Sequence, residues 1–325
     1  MIRKARVKSL AKINLDLRVL AKRPDGFHDL RTVFQTISLA DVIEIEYSAA
    51  RKREVSIDDA LAIPDNLIVR AANAMFDAMK IGGRVRFRLE KRIPMGGGLG
   101  GGSSNAAAVM LALPALAGKI VPMGKLLEIG EKLGSDVPFF LQGGTQLGFG
   151  RGGELYSQPD VKTNPILLVS PGLHVATGPA YAGLNRGLTF DGTSSSIRSF
   201  QAFVRVLGTG RDAMAASALS VNDFESVVFR QYPQLRKIAA RLRKISPGVR
   251  MSGSGSTIFA LFGSEGDRER GLQGLSKDGV LGSCRLIKAE LVSGKSYHRL
   301  WRKQLEPHLD PSKEDSWPPR SRYAQ

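Results

Sequence analysis

The segment Pro94-Met-Gly-Gly-Gly-Leu-Gly-Gly-Gly-Ser-Ser-Asn105 carries the densest chemical signal in the chain. Six of the seven residues from Gly96 to Gly102 are glycine. Glycine admits positive φ, so successive backbone N–H groups can turn toward one point and cradle an anion. The run lies between an alternating strand pattern and an Ala-rich helical pattern, where a helix N-terminus favours negative charge. A flexible linker would not have such flanks. Ser103 and Ser104 can cap the helix and can offer hydroxyls to a phosphate or to Mg²⁺. No lysine follows Gly102, so this is not a Walker A loop. Gly96, Gly98 and Gly101 fit G-x-G-x-x-G, a match with little weight in so glycine-rich a run. Gly98 and Gly101 are expected to need positive φ and to reject a β-branched residue.

Asp136, in Leu133-Gly-Ser-Asp-Val-Pro-Phe-Phe140, fits two roles equally well. It can N-cap a helix with Pro138 in its first turn, or it can act as a base toward a substrate hydroxyl. Lys12 and His28 taken alone read as a solvated lysine and a surface histidine after the turn Arg23-Pro-Asp-Gly26. A second glycine-rich turn, Ser252-Gly-Ser-Gly-Ser-Thr257, serves a tight strand entry as readily as a ligand. His174, His298 and His308 have no Cys or carboxylate spacing of a metal site.

These residues need elements to hold them. Ser9 to Leu20 alternates, with Ile13, Leu15, Leu17 and Val19 on one face and Lys12, Asn14, Asp16 and Arg18 on a polar one. Val42–Tyr47 and Arg84–Ile93 alternate likewise. A helix from Asp65 as N-cap has apolar positions Leu67, Ile68, Ala71, Ala72, Met75, Phe76 and Met79. Another helix starts at about Ser104 and is expected to kink or end at Pro114. Gly148–Gly153 reads as a hairpin or boundary loop. A second unit begins near Ile166, with helices at Ile197–Leu207, Asp223–Phe229 and Pro233–Ile245 and strands at Thr257–Phe262 and Arg285–Leu291. Gly192–Ser199 reads as a loop. Helices and strands mix without a strict βαβ period, so the fold class is α+β. The units are 1–160, 161–294 and an extension, 295–325, disordered in part or draped on the body.

The chain has 325 residues, 42% hydrophobic and 24% charged, which is globular composition. No apolar run reaches the roughly 18 residues of a membrane span, and no signal-peptide h-region is present. With Cys284 as its one cysteine, disulfide scaffolds and multi-cysteine zinc sites are excluded, and a cytoplasmic setting is expected. Lys plus Arg exceeds Asp plus Glu by 47 to 30, a net charge of +17. Such a surface attracts polyanions, but the charges are dispersed and aromatics make up only 7% of residues. Nucleic-acid binding is therefore the weaker reading. No membrane partner is expected, and the oligomeric expectation is a monomer or weak homodimer.

Together the motifs resemble the GHMP kinases, named for galactokinase and the homoserine, mevalonate and phosphomevalonate kinases. The residues that carry the resemblance are Ala11-Lys-Ile-Asn-Leu15, Arg23-Pro-Asp-Gly-Phe-His28, Asp65-Asn-Leu-Ile-Val-Arg-Ala71, Lys91 through Ala106, Gly134-Ser-Asp-Val-Pro138 and Ser252-Gly-Ser-Gly255. The resemblance spans about Ser9 to Leu291. It implies two domains with a cleft between them and ATP as phosphoryl donor, with Mg²⁺. The PDGFH segment points to the branch that phosphorylates the 2-hydroxyl of a cytidine diphosphate derivative in non-mevalonate isoprenoid synthesis; homoserine- or mevalonate-type kinases are the alternative. By resemblance Asp136 is the base, with Lys12 beside it. Asn66 and Lys91 lie near the ATP nucleoside. Pro94, Met95, Gly96, Gly97, Gly98, Leu99, Gly100, Gly101, Gly102, Ser103 and Ser104 wrap the triphosphate. Asn14 and His28 contact the substrate, His28 at the cytosine edge, and Phe27 and Tyr181 sandwich the base. Phe27 stands where the family often has Tyr, and Ser254 where Thr is common.

Overall fold

The computed structural model describes residues 1–185, 194–275, 281–313 and 315–324. Strands β1 (Ile2–Lys22) and β2 (His28–Ser48) form a long antiparallel hairpin, closed where Arg23 N–H donates to the Phe27 carbonyl (2.7 Å) and Gly26 takes φ +84°. The Pro-Asp-Gly turn and the alternating flanks account for it. There follow β3 (Arg53–Asp59), α1 (Leu67–Met79), β4 (Gly83–Glu90), α2 (Gly101–Ala117), α3 (Met123–Leu133), α4 (Val137–Gln142), β5 (Thr145–Gly150) and β6 (Glu154–Ser157). One edge of β2 pairs with β1. The other pairs with β4 over Val42–Ser48 and with β5 over Leu30–Gln35, giving the order β3-β4-β2-β5-β6. Val85, Phe87 and Leu89 face the helices, while Arg84, Arg86 and Arg88 face solvent, as strict alternation requires.

The second unit holds β7 (Pro165–Ser170), α5 (Thr177–Gly183), α6 (Ser194–Gly210), α7 (Ala213–Ala216), α8 (Phe224–Gln231), α9 (Pro233–Leu242), β8 (Gly248–Met251), β9 (Ile258–Leu261), α10 (Glu265–Leu275) and β10 (Arg285–Glu290). Its sheet is antiparallel in the order β10-β7-β9-β8. Helix α11 (Gly294–Leu305) then returns to the first unit. The architecture is α+β. Ala11, Ile13 and Leu15 of β1 share one apolar cluster with Ile166, Leu168, Phe259 and Ala289, so the two sheets are joined by core rather than by a linker.

Several expectations change. The polar face of β1 is not solvated: Lys12, Asn14, Asp16 and Arg18 are all buried, Lys12 and Asn14 against Thr32, Phe34 and Asp136 of the first unit and Asp16 and Arg18 against the second. Leu17 N–H donates to the Val221 carbonyl (2.8 Å) and Asp223 N–H to the Leu17 carbonyl (3.0 Å). Asn66, not Asp65, caps α1, accepting from Ile68 N–H at 3.0 Å, while Asp65 takes φ +47°. Helix α2 starts at Gly101 despite the ~1 kcal/mol that each glycine costs in a helix, and it passes through Pro114 to Ala117. Residues 104–116 of this helix are all buried, and tertiary packing outweighs propensity there. The Gly192–Ser199 loop expectation lies partly outside the described residues; 194–199 belong to α6.

The described residues after Lys295 lie against the body. Tyr297, Trp301 and Leu305 enter the first unit's core, with Leu300, Leu309 and Trp317 packed against it. Among the described residues, no helix is long and apolar enough to cross a membrane.

Candidate active site

The polar face of β1 places Lys12 and Asn14 side by side, two residues apart on one strand face. Lys12 Nζ donates to Asn14 Oδ1 (2.7 Å), Asn14 Nδ2 to Thr32 Oγ1 (2.8 Å), and Thr32 Oγ1 to the Asp16 carbonyl (2.7 Å). The chain of bonds fixes the lysine's direction. Its ammonium lies 3.4 Å from Asp136 Oδ2, with side-chain exposures of 5% and 29%. Asp136 stands at the entry of α4 but makes no side-chain capping bond; its backbone is already helical at φ −88°, ψ −10°. Of the two roles open to it, capping is therefore absent. The carboxylate instead faces a cation, with enough exposure to meet a hydroxyl.

The glycine-rich segment runs beside this pair. Lys12 N–H donates to the Leu99 carbonyl (3.1 Å), and Leu99, the one apolar residue among the glycines, is buried in the inter-unit core. Positive φ falls at Gly96 (+65°), Gly98 (+75°) and Gly100 (+69°), so the alternation is 96, 98, 100 and Gly101 is an ordinary first helical residue. A Cβ on Gly98 would lie 2.0 Å from the Ser252 carbonyl oxygen, and one on Gly100 2.7 Å from the Phe140 ring. These are concavities that only glycine leaves open. The 17-residue helix α2 opens here with no acidic residue in its first turn. The serines do not cap it. Ser104 is buried, and its hydroxyl donates to the Leu10 carbonyl at 2.7 Å. Ser103 is the half-buried hydroxyl beside the loop.

The second glycine turn, ambiguous in sequence, seats against the first. Ser252 Oγ donates to the Gly98 carbonyl (2.9 Å), and Thr257 N–H donates to the Gly97 carbonyl (3.2 Å). Ser254 Oγ lies 3.0 Å from Thr177 Oγ1 across the mouth. A cleft of about 250 Å³ is lined by Lys12, Asn14, Gly98, Gly100, Asp136, Tyr181 and Ser254, with Phe34, Phe224 and Arg151 completing its wall.

Tyr181, from α5, reaches this cleft. Burial first, and then the nearby Asp136 charge, push its phenol up to about 12, so it stays a neutral donor. Its ring stacks on His28 (centroids 4.7 Å apart, 20° between planes) and meets Phe224 edge-on. Phe27, expected to share the base with Tyr181, lies apart from this stack. Phe27 is half exposed and lies under the Arg151 guanidinium, 3.5 Å from its ring centroid. The Pro-Asp-Gly turn leaves Phe27 at the hairpin tip while His28 opens β2, so neighbours in sequence take different partners.

Asn66 and Lys91 are both occupied. Besides capping α1, Asn66 donates from Nδ2 to Asp59 Oδ2 (3.1 Å). Lys91 Nζ pairs with fully buried Asp41 at 2.5 Å, whose other oxygen accepts from Arg92 and Ile93 N–H. That pair holds the strand-to-loop exit, and the Lys91 ammonium sits at the start of α2, 2.8 Å from where a Gly101 Cβ would be. Pro94 is half-buried, and Met95 is exposed at the loop's outer edge. Arg151 was missed in sequence; its signal was a lone cation within Gly148-Phe-Gly-Arg-Gly-Gly153. Asp16 and Arg18 were missed as a buried pair (2.9 Å) that ties β1 to Val221 and Ser199.

Residues 66–144 match the family description "GHMP kinases N terminal domain", and residues 200–281 match "GHMP kinases C terminal". A 4-diphosphocytidyl-2-C-methyl-D-erythritol kinase of Solibacter usitatus is 50% identical over 99% of this chain and 98% of its own. A crystal structure of a 4-(cytidine 5'-diphospho)-2C-methyl-D-erythritol kinase aligns with TM-score 0.71 and 33% identity, covering 90% of this chain and 99% of that one. A homoserine kinase from Cytophaga hutchinsonii shares the fold, with TM-score 0.67 over 89% and 95% of the two chains at 18% identity.

Proposed function

From the premise that this chain belongs to the GHMP kinases, we propose that it transfers the γ-phosphoryl group of ATP to the 2-hydroxyl of 4-diphosphocytidyl-2-C-methyl-D-erythritol. The observation that carries the chemistry is the Lys12–Asp136 pair, at a cleft that the glycine loop beside it also lines. Phosphoryl transfer asks for positioning and charge neutralisation more than for covalent chemistry. Asp136 accepts the hydroxyl proton. Lys12 orients the attacking oxygen and offsets charge beside it. Asn14 fixes Lys12 and faces the substrate. Loop amides from Gly96 to Gly102 and the α2 N-terminus hold the β- and γ-phosphates.

Mg²⁺ would supply further charge neutralisation on the phosphates. Among the described residues no group of three or more His, Cys, Asp or Glu could hold a metal. The Ser103 hydroxyl, beside the loop, would be the group of this chain that helps hold the ion on the triphosphate. Residues 1–160 carry the nucleotide machinery in this reading, and residues 161–294 contribute Tyr181 and the Ser252–Thr257 turn. Arg151 is placed to meet the diphosphate of the substrate. Asn66 and Lys91 act on the nucleotide through the elements they anchor. An assay of ADP release with the cytidylylated substrate present, absent, or replaced by homoserine or mevalonate tests the assignment. ADP release with homoserine or mevalonate but not with the cytidylylated substrate would overturn it.

The cytosine packs on Tyr181 with its edge toward His28 in this reading. Tyr181→Ala then raises KM for the cytidylylated substrate by roughly tenfold and leaves KM for ATP nearly unchanged. Tyr181→Phe keeps the stack and is nearly silent. No change in either parameter for Tyr181→Ala would place the base elsewhere.

Burial, and then the Lys22 charge, hold the His28 imidazole below its ordinary range, so it is neutral at pH 7. An edge hydrogen bond that needs a ring-nitrogen acceptor survives until the pH falls below that depressed value. KM for the cytidylylated substrate should thus stay flat across the ordinary imidazole range, about pH 6.5, and rise only below it. In His28→Gln the acid rise disappears. A KM already rising near pH 6.5 would contradict a neutral His28 at the base.

A further inference from the structure

Helix α4 is only six residues long, too short to hold its own direction by internal hydrogen bonds, yet it begins beside Asp136. Its last carbonyls lack partners within the helix. The segment from Gly294 to Trp317, outside both family matches, supplies them. Tyr297 Oη donates to the Phe140 carbonyl. Trp317 Nε1 donates to the Leu141 carbonyl at 3.0 Å, and His298 Nε2 lies 2.9 Å from the Gln142 carbonyl. Three successive carbonyls thus meet three side chains of one segment.

The three side chains brace one another. His298 stacks on Trp317 (4.0 Å, 18°), and Tyr297 meets Trp317 edge-on. The chain leaves α4 through Gly143 at φ +69°, flat against Tyr297: a Cβ there would come within 2.3 Å of that ring. The segment itself is anchored. Gly294 N–H donates to Asp160 Oδ1 (2.6 Å), and Trp301 and Leu305 are buried in the first unit's core. Its far end docks elsewhere, with Tyr323 beneath the Arg3 guanidinium, 3.7 Å from the ring centroid, and beside Gly118.

We propose that Tyr297, His298 and Trp317 are positioning residues for phosphoryl transfer: by capping the C-terminal carbonyls of α4 they fix the helix whose entry aims Asp136 at Lys12. The inference rests on Asp136 as the proton acceptor. A shift of an ångström in that carboxylate costs turnover while leaving both binding surfaces in place.

The test is the full-length chain with Tyr297→Phe and Trp317→Phe together, which remove two donors and keep aromatic rings. The expected result is a kcat lower by roughly ten- to a hundredfold, with KM for ATP and for the cytidylylated substrate within about twofold of wild type. Tyr323→Ala is the matched control: it loosens the same segment away from α4, lowering Tm with kcat retained. If the double variant does not fold, each single substitution is read in the same way. Wild-type kcat in the folded variants, or an equal loss of kcat in Tyr323→Ala, overturns the proposal. Asp136→Asn measured alongside separates the two assignments. Near wild-type turnover there removes the base, and the positioning role with it. Its loss beside full turnover in the double variant removes the positioning role alone.

Discussion

Asp136→Asn lowers kcat by ~10²–10⁴ and leaves the fold intact, the magnitude that a positioned general base contributes. The substitution keeps size and shape and removes the proton acceptor. A structural explanation for such a loss is weak. Were Asp136 a helix cap, Asn would replace it with almost no cost, and even outright loss of a cap is worth only about 1 kcal/mol. No capping bond exists to lose, because the carboxylate is turned toward Lys12. Circular dichroism and Tm checked beside steady-state kinetics separate chemistry from folding. A variant that retains near wild-type kcat defeats the assignment. Lys12→Met should also lower kcat, with little change in ATP affinity. It is expected to cost stability too, since it leaves Asn14 Oδ1 without its buried donor.

The parts legible in sequence were those governed by local rules. Alternation located β1, the far half of β2 and β4, a continuous apolar run located β7, and glycine density located the loop. What it could not show was the partner across space. Lys12, Asn14, Asp16 and Arg18 read as a polar, exposed face because alternation reports two sides, not what covers them. Here Asp136 and Thr32 close over Lys12 and Asn14, and chain some 200 residues later, around Val221, closes over Asp16. Asp136 remained ambiguous for the same reason: capping and catalysis ask for the same residue type at the same place, and only the carboxylate's direction decides. The Ser252–Thr257 turn was weak alone because its purpose is the contact with Gly97 and Gly98. In the segment after Lys295, Leu300, Trp301 and Leu305 are legible as an apolar set at helical spacing that can dock on the body, while prolines and mixed charge masked Tyr297, which with Trp301 and Leu305 lays one apolar stripe along α11. That His28 rather than Phe27 stacks on Tyr181 was hidden at a turn, where one residue of register exchanges which ring faces inward.

Gly98→Ala abolishes measurable ATP binding in calorimetry, although it adds a single methyl group. Two effects act together at this position. The backbone holds φ +75°, where a side chain is strained by about 1 kcal/mol or more. The larger effect is space: the added Cβ would lie 2.0 Å from the Ser252 carbonyl oxygen and 3.2 Å from that of Gly255. Both obstacles are backbone, so no rotamer change relieves them, and the two glycine loops must separate. Separation breaks the Ser252 Oγ to Gly98 carbonyl bond and turns the amides on either side away from a common centre. Gly101→Ala is the contrast. Gly101 is helical without positive φ, and its Cβ meets the flexible end of Lys91 at 2.8 Å and Ile93 Cγ2 at 3.1 Å. It should bind ATP with a several-fold loss at most, and alanine favours the helix by ~1 kcal/mol over glycine. Because Lys12 N–H is bonded to the Leu99 carbonyl, the Gly98→Ala protein should also show reduced turnover at saturating substrate. Nucleotide affinity unchanged in Gly98→Ala would mean that the loop does not hold the phosphates. Equal losses in Gly98→Ala and Gly101→Ala would place the phosphate contacts on the helix start alone, with the second glycine turn a bystander.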